Sequence, residues 1–106
     1  MRVSLKHGAI LCLAVSIVTP VFAQNGGADI YKAKCLMCHG ATGLGDTGAG
    51  KALKAASFKD PSIVKASDAD LIAAVKNGKG KMPANNGKLT DTQIKAAIAY
   101  VRTLQK

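Results

Sequence analysis

The chain has no tryptophan and no glutamate, and its 106 residues include only two phenylalanines, two tyrosines, two histidines and three cysteines. Many of its apolar positions are alanine, and beyond residue 23 Phe58 is the sole phenylalanine. A small domain with so few bulky side chains lacks the material for a large core of its own, so something other than side chains is expected to complete it. Beyond residue 23 the acids are all aspartates, scattered along the chain, and His39 is the one histidine. No pair of positioned acid and base can be read from that inventory, which argues against an enzyme. The lysines are spread rather than clustered and have no aromatic residues between them, unlike a nucleic-acid-binding surface. No segment alternates with the strand period and no repeat appears, so the expected fold class is all-α in one domain.

The first 23 residues read as a processing segment. Arg2 and Lys6 form a basic start, residues 8–18 are nearly all apolar, and Val21-Phe22-Ala23 offers a small-residue cleavage site before Gln24. This is the layout of a secretory signal peptide, and it assigns residues 1–23 to export and 24–106 to the mature domain. The apolar run is short for a membrane span and has no stop-transfer flank; an uncleaved anchor is the rival reading, and no stable membrane insertion is expected after cleavage. Cys12 sits inside the run and is read as apolar filler. Removing Arg2 and Lys6 takes the formal net charge from +9 to +7, because all six acids lie after residue 23. Such a chain is drawn to acidic partner proteins or anionic surfaces, unless its lysines simply make a solvated basic face.

The most informative stretch is Cys35-Leu36-Met37-Cys38-His39. Cysteines three positions apart, followed at once by histidine, form the C-x-x-C-H pattern of covalent c-type haem attachment. Thiols one helical turn apart can reach the two vinyl groups of one porphyrin, and the adjacent histidine is then placed as an axial iron ligand. A thioredoxin-like pair would need a strand and a βαβ context, which the helical sequence before Cys35 does not supply. A structural zinc site wants four ligands, and the other Cys and His, Cys12 and His7, fall in the export segment. An oxidising compartment also agrees with a haem-attaching motif.

In chain order, helix is expected from about Ala28 to Gly40, with Asp29 in its first turn. Residues 40–50 hold glycines at 40, 43, 45, 48 and 50 and read as a loop. A phosphate-binding loop is rejected: no strand precedes it, the spacing is offset, and Ala52 follows Lys51 where Ser or Thr belongs. The loop is expected instead to pass near the haem edge and to offer a carbonyl to the second ring nitrogen of His39. A short helical turn is expected within 51–59, a helix start at Asp60-Pro61 with Ile63 and Val64 in the core, and another at Ser67 with Asp70, ending at Asn77-Gly78. In the following Gly/Lys loop Met82-Pro83 stands out. A methionine there is either gap-filler or, with haem present, the sixth iron ligand. Thr90 and Gln93 make a capping box opening a last helix, in which Ile94, Ala97, Ile98, Val101 and Leu104 share a face while Lys95 and Arg102 point away.

These residues together resemble the class I c-type cytochromes, especially the small bacterial and cytochrome c6-like members. The resemblance covers the whole mature chain and rests on Cys35, Cys38 and His39, on Met82-Pro83, and on the closing helix with Tyr100. It implies a cytochrome c-like fold of three main helices plus short helical turns around one covalently bound haem c. It also implies that Gly27 and Tyr31 cross the last helix near Tyr100. The implied ligand set is Cys35 and Cys38 as thioether donors, with His39 and Met82 on the iron. Two departures are visible. No proline between His39 and Pro61 provides the usual carbonyl for the histidine, and no tryptophan or arginine near the haem propionates has a clear counterpart.

The function implied is a periplasmic one-electron carrier and not an enzyme, working between redox protein partners with acidic docking surfaces, with Lys34, Lys79 and Lys81 as candidate steering charges. A monomer is expected. The alternatives are a haem subunit of a larger oxidoreductase complex and, from a different class, a haem sensor or peroxidase-like protein with Met82 unbound.

Overall fold

The computed structural model describes Gly8, Leu13, Ala14 and residues 22–106; most of residues 1–23, expected above to serve export, lies outside the described residues. The described residues form six helices and no strand: α1 (Phe22–Lys34), α2 (Leu36–His39), α3 (Gly48–Leu53), α4 (Pro61–Lys65), α5 (Asp68–Asn77) and α6 (Asp91–Leu104). Helices α1, α5 and α6 are the long ones; α2, α3 and α4 are short turns between them. None of the described helices is long and apolar enough to cross a membrane.

The closing helix is the spine. Thr90 caps it: its hydroxyl accepts from Gln93 N at 3.1 Å, and the Gln93 side chain accepts from Thr90 N at 2.9 Å. Both bonds of the capping box satisfy amides that a helix start leaves without partners. Ile94, Ala97, Ile98 and Val101 are buried, following the expected helical spacing. Helix α1 crosses α6, and Gly27 makes the close approach possible. A Cβ at Gly27 would collide with the Ala96 carbonyl and meet Tyr100 Cβ at 3.4 Å. Four residues on, Tyr31 is 1 % exposed and packs on Tyr100 with ring centroids 5.1 Å apart. The crossing implied by the resemblance is therefore present. Helix α1 begins at Phe22 rather than Ala28. Gly26-Gly27 reads locally as a breaker, but the docking on α6 overrides that propensity.

Helix α5 starts at the Ser67 cap, whose hydroxyl accepts from Asp70 N at 3.1 Å. The return bond of a full capping box is not made, aspartate being one methylene shorter than glutamate. The helix ends at Asn77 with Gly78 as its C-cap. Val75 of α5 joins Ile94 and Ile98 in one cluster, against which Leu71, Ile72, Met82 and Leu89 pack from the side. The Asp60-Pro61 start forms as expected, with Asp60 Oδ1 accepting from Ser62 N at 2.9 Å.

Three local expectations are corrected. The turn expected within 51–59 starts earlier, at Gly48, because Thr47 caps it and accepts from Gly50 N at 2.9 Å. Val64 is not core but 47 % exposed, since the five-residue α4 turns only its Ile63 side inward. Arg102 does not point away. Its guanidinium reaches back to α4 and α5, donating to Ala66 O at 2.6 Å and Ile63 O at 3.3 Å, and pairing with Asp68 at 2.9 Å.

Candidate functional site

Cys35 closes α1 and opens α2. Its amide donates to Tyr31 O at 2.8 Å, and its carbonyl accepts from His39 N at 2.9 Å. The continuing helical turn sets Cys35 and Cys38 one turn apart, followed by His39. Both cysteines are half-buried and carry free thiols. Burial, and then the neighbouring Cys38, push the Cys35 thiol above its ordinary range, so it stays protonated near neutral pH.

His39 is also half-buried, and its Nδ1 lies 3.1 Å from the Ala56 carbonyl oxygen. A carbonyl only accepts, so Nδ1 carries the proton and Nε2 keeps its lone pair. Burial lowers the imidazole pKa, more than the Ala56 bond raises it, and the ring is neutral at pH 7. The expected acceptor was a carbonyl of the 40–50 loop, and that expectation is corrected. The loop does touch His39 by its backbone, Gly45 N donating to His39 O at 2.9 Å. The ring bond instead comes from the extended stretch after α3, held by Ala55 N donating to Gly50 O at 2.8 Å. Phe58, two residues after the acceptor, stacks on His39 at a centroid distance of 4.5 Å.

Thr47 ties α2 to α3. Its hydroxyl lies 2.6 Å from Met37 O and 3.1 Å from Cys38 O, both carbonyls of the CxxCH turn. Met37 itself is 78 % exposed.

Met82 sits on a separate scaffold. Its backbone exchanges bonds with Lys79, at 2.9 Å and 3.2 Å, in a tight turn over Gly80 and Lys81. Its side chain is half-buried against the Val75–Ile94–Ile98 cluster. The loop is fastened to the end of α5: Asn85 N donates to Val75 O and Asn86 N to Lys76 O, each at 3.0 Å, and Asn85 Nδ2 reaches Val75 O at 3.2 Å. These bonds occupy carbonyls that a helix C-terminus leaves open. Lys34, Lys79 and Lys81 are all exposed. An open groove of about 520 Å³ runs beside α5 and is lined by residues such as Ile63, Leu71, Ala74 and Gly78. Neither cysteine nor His39 lines it.

Sequence reasoning missed Thr47, Ala56, Phe58 and Asn85. Thr47 carried a helix-cap signal hidden among glycines, and Asn85 lay in a loop read for its methionine. Ala56 acts through a main-chain carbonyl, which has no side-chain signature.

A family model described as "Cytochrome C oxidase, cbb3-type, subunit III" matches residues 23–101. A cytochrome c6 of Leptolyngbya boryana is 39 % identical over 77 residues, covering 71 % of this chain and 85 % of that protein. The chain is a class I c-type cytochrome. A cytochrome c6 of a Nostoc species is 41 % identical over 103 residues, covering 91 % of this cytochrome and 90 % of its own length. The solved structure of the KustC0563 c-type cytochrome covers 76 % of this chain and 98 % of its own, at 33 % identity and a TM-score of 0.69. A cbb3-type cytochrome c oxidase subunit FixP of Azorhizobium caulinodans is 36 % identical over 84 residues. There the match spans 77 % of this cytochrome but only 27 % of FixP.

Haem and electron transport belong to this family. The donor set here suits haem c. Free thiols stand one turn apart, the adjacent imidazole is neutral with Nε2 unprotonated, and several apolar side chains are only half-buried.

Proposed function

We propose that this cytochrome is a periplasmic mono-haem electron carrier, built from residues 24–106 after removal of a signal peptide at 1–23. In this reading Cys35 and Cys38 hold haem c covalently, and His39 and Met82 are the axial ligands. Each thiol would hold the haem through a thioether to one of its vinyl groups. A haem so held would supply a one-electron ferrous/ferric couple, and a Met ligand would raise its potential. The Ala56 carbonyl fixes the His39 tautomer, and the turn bonded between Lys79 and Met82 presents the thioether.

The observation that carries this reading is the Nδ1 bond to Ala56, which leaves a neutral imidazole with its Nε2 lone pair beside two free thiols. The cytochrome c6 relatives share most of this chain's length, which favours a carrier over an enzyme. The mature charge of +7 and the exposed Lys34, Lys79 and Lys81 favour partners with acidic docking surfaces.

The similarity to FixP favours a second reading, in which the same haem domain serves inside a larger oxidase complex. Size-exclusion of the native periplasmic protein separates the two readings, the carrier eluting as a monomer.

The site is tested by exporting the protein with c-type maturation. Haem should stay on the chain in a denaturing gel, and the spectrum should be six-coordinate and low-spin. Met82→Ala should turn it high-spin and open the iron to carbon monoxide. Haem that washes off, or a spectrum indifferent to Met82, would refute the ligand set.

A further inference from the structure

The axial candidate His39 is held by one side-chain hydrogen bond, the 3.1 Å bond to Ala56. A single bond fixes one ring atom and leaves the plane free to rock about it. The second restraint is a face. The Phe58 ring lies 4.5 Å from the His39 ring, centroid to centroid, with the planes inclined by only 22°. That is the offset-stacked arrangement aromatic pairs prefer.

Phe58 is itself held firmly. Its amide donates to Gly43 O at 2.8 Å, and its carbonyl accepts from Gln105 Nε2 at 3.0 Å. Tyr31 meets its ring edge-on, with centroids 6.2 Å apart and planes at 63°. Gly43, at φ +76°, leaves the room: a Cβ there would stand 2.5 Å from Phe58 Cδ2. The 40–50 loop thus contributes to the site by accommodating the ring that faces His39.

We propose that Phe58 is a positioning residue for the axial histidine, setting with the Ala56 carbonyl the plane in which His39 presents Nε2. This rests on the reading of His39 as an iron ligand. The stack has an electronic consequence too. The negative face of the phenyl ring favours a more positive imidazole, which is the state beside ferric rather than ferrous iron. Loss of the ring should therefore raise the reduction potential.

The test uses the exported, haem-loaded protein. Wild type must first show retained haem and a low-spin spectrum that depends on His39; failure there removes the ligand assignment itself. The proposal is then read from the ferric proton NMR spectrum, in which the spread and order of the shifted haem methyl resonances report the plane of the axial imidazole. Phe58→Leu, which stays apolar but loses the face, should change that order and raise the potential. Phe58→Tyr, which keeps the face, should retain the wild-type order. If Phe58→Leu loads too little haem to measure, Phe58→Met is read by the same criterion. A variant that only lowers the denaturation midpoint, with the methyl order and potential of wild type, would overturn the proposal while leaving His39 a ligand.

Discussion

Tyr31 connects the helix crossing to the CxxCH turn through a single oxygen. Its ring is 1 % exposed between α1 and α6, while its hydroxyl donates to Gly40 O at 2.5 Å, at the end of the CxxCH turn. The resemblance indicated the ring; nothing in the sequence indicated the bond, which depends on how α2 folds back beside α1. Burial first, then Cys35 and Tyr100, push the Tyr31 pKa from 10.0 up to about 12. A phenolate cannot donate, so the folded state holds the proton more tightly than the unfolded chain. The stability this provides is complete below pH 10 and is lost as pH rises through about 12. Tyr31→Phe should lose about 1 kcal/mol at neutral pH, as expected for one hydrogen bond. Its stability should also fall less steeply than that of wild type between pH 10 and 12. Urea midpoints of both haem-loaded proteins across that range decide it. Parallel curves would mean that Tyr31 does not titrate with folding.

Among the elements, Arg102 has the widest reach. From the last turn of α6 it donates to Ile63 O, Val64 O and Ala66 O around the end of α4, and to Asp68 in the first turn of α5. The carbonyl bonds and the ion pair can be weighed separately. Asp68 is 69 % exposed, and exposed pairs contribute little, so Asp68→Asn should cost under about 1 kcal/mol. Arg102→Lys keeps the charge but loses the planar fork, leaving carbonyls of a helix end without their donor, and should cost roughly 2 kcal/mol. Chemical denaturation of the two variants tests the ranking; a greater loss in Asp68→Asn than in Arg102→Lys would assign the effect to the ion pair. The contrast with the helix starts shows what could be read in advance. The Asp60, Ser67 and Thr90 caps act on partners two or three residues away, within reach of a sequence pattern. Arg102 meets its carbonyls 36 to 39 residues away, and His39 meets Ala56 after 17. Such partners are set by how helices cross, and main-chain acceptors carry no residue signature. The candidate donors Cys35, Cys38, His39 and Met82 were legible because their chemistry lies in side-chain type and spacing. The parts that hold them, Ala56, Phe58, Thr47 and Asn85, were not.

For the whole molecule, the shortage of bulky residues recurs as a shortage of core. The buried apolar side chains among the described residues are Tyr31, Val75, Ile94, Ala97, Ile98 and Val101. Around them Leu71, Ile72, Met82 and Leu89 are only half-buried, each leaving apolar surface uncovered. Fully burying a large aliphatic side chain is worth about 1.5–3 kcal/mol, so a ring of half-covered ones withholds much of the stabilisation that must offset chain entropy in a small domain. A haem fixed at Cys35 and Cys38 would add apolar area without adding chain to order. The double variant Cys35→Ala, Cys38→Ala, prepared free of haem, should therefore keep part of its helical far-ultraviolet signal but lose its near-ultraviolet signal and its cooperative thermal transition. Both cysteines are half-buried, so truncating them removes little packing directly, and the loss would reflect the missing haem. Met82→Ala with haem still attached is the control. It removes one candidate ligand and one side chain from the edge of the cluster, and should melt cooperatively at a lower temperature. A cooperative transition in the haem-free double variant would mean that α1, α5 and α6 close on their own, and the scarcity of large side chains would then have to be explained without a cofactor.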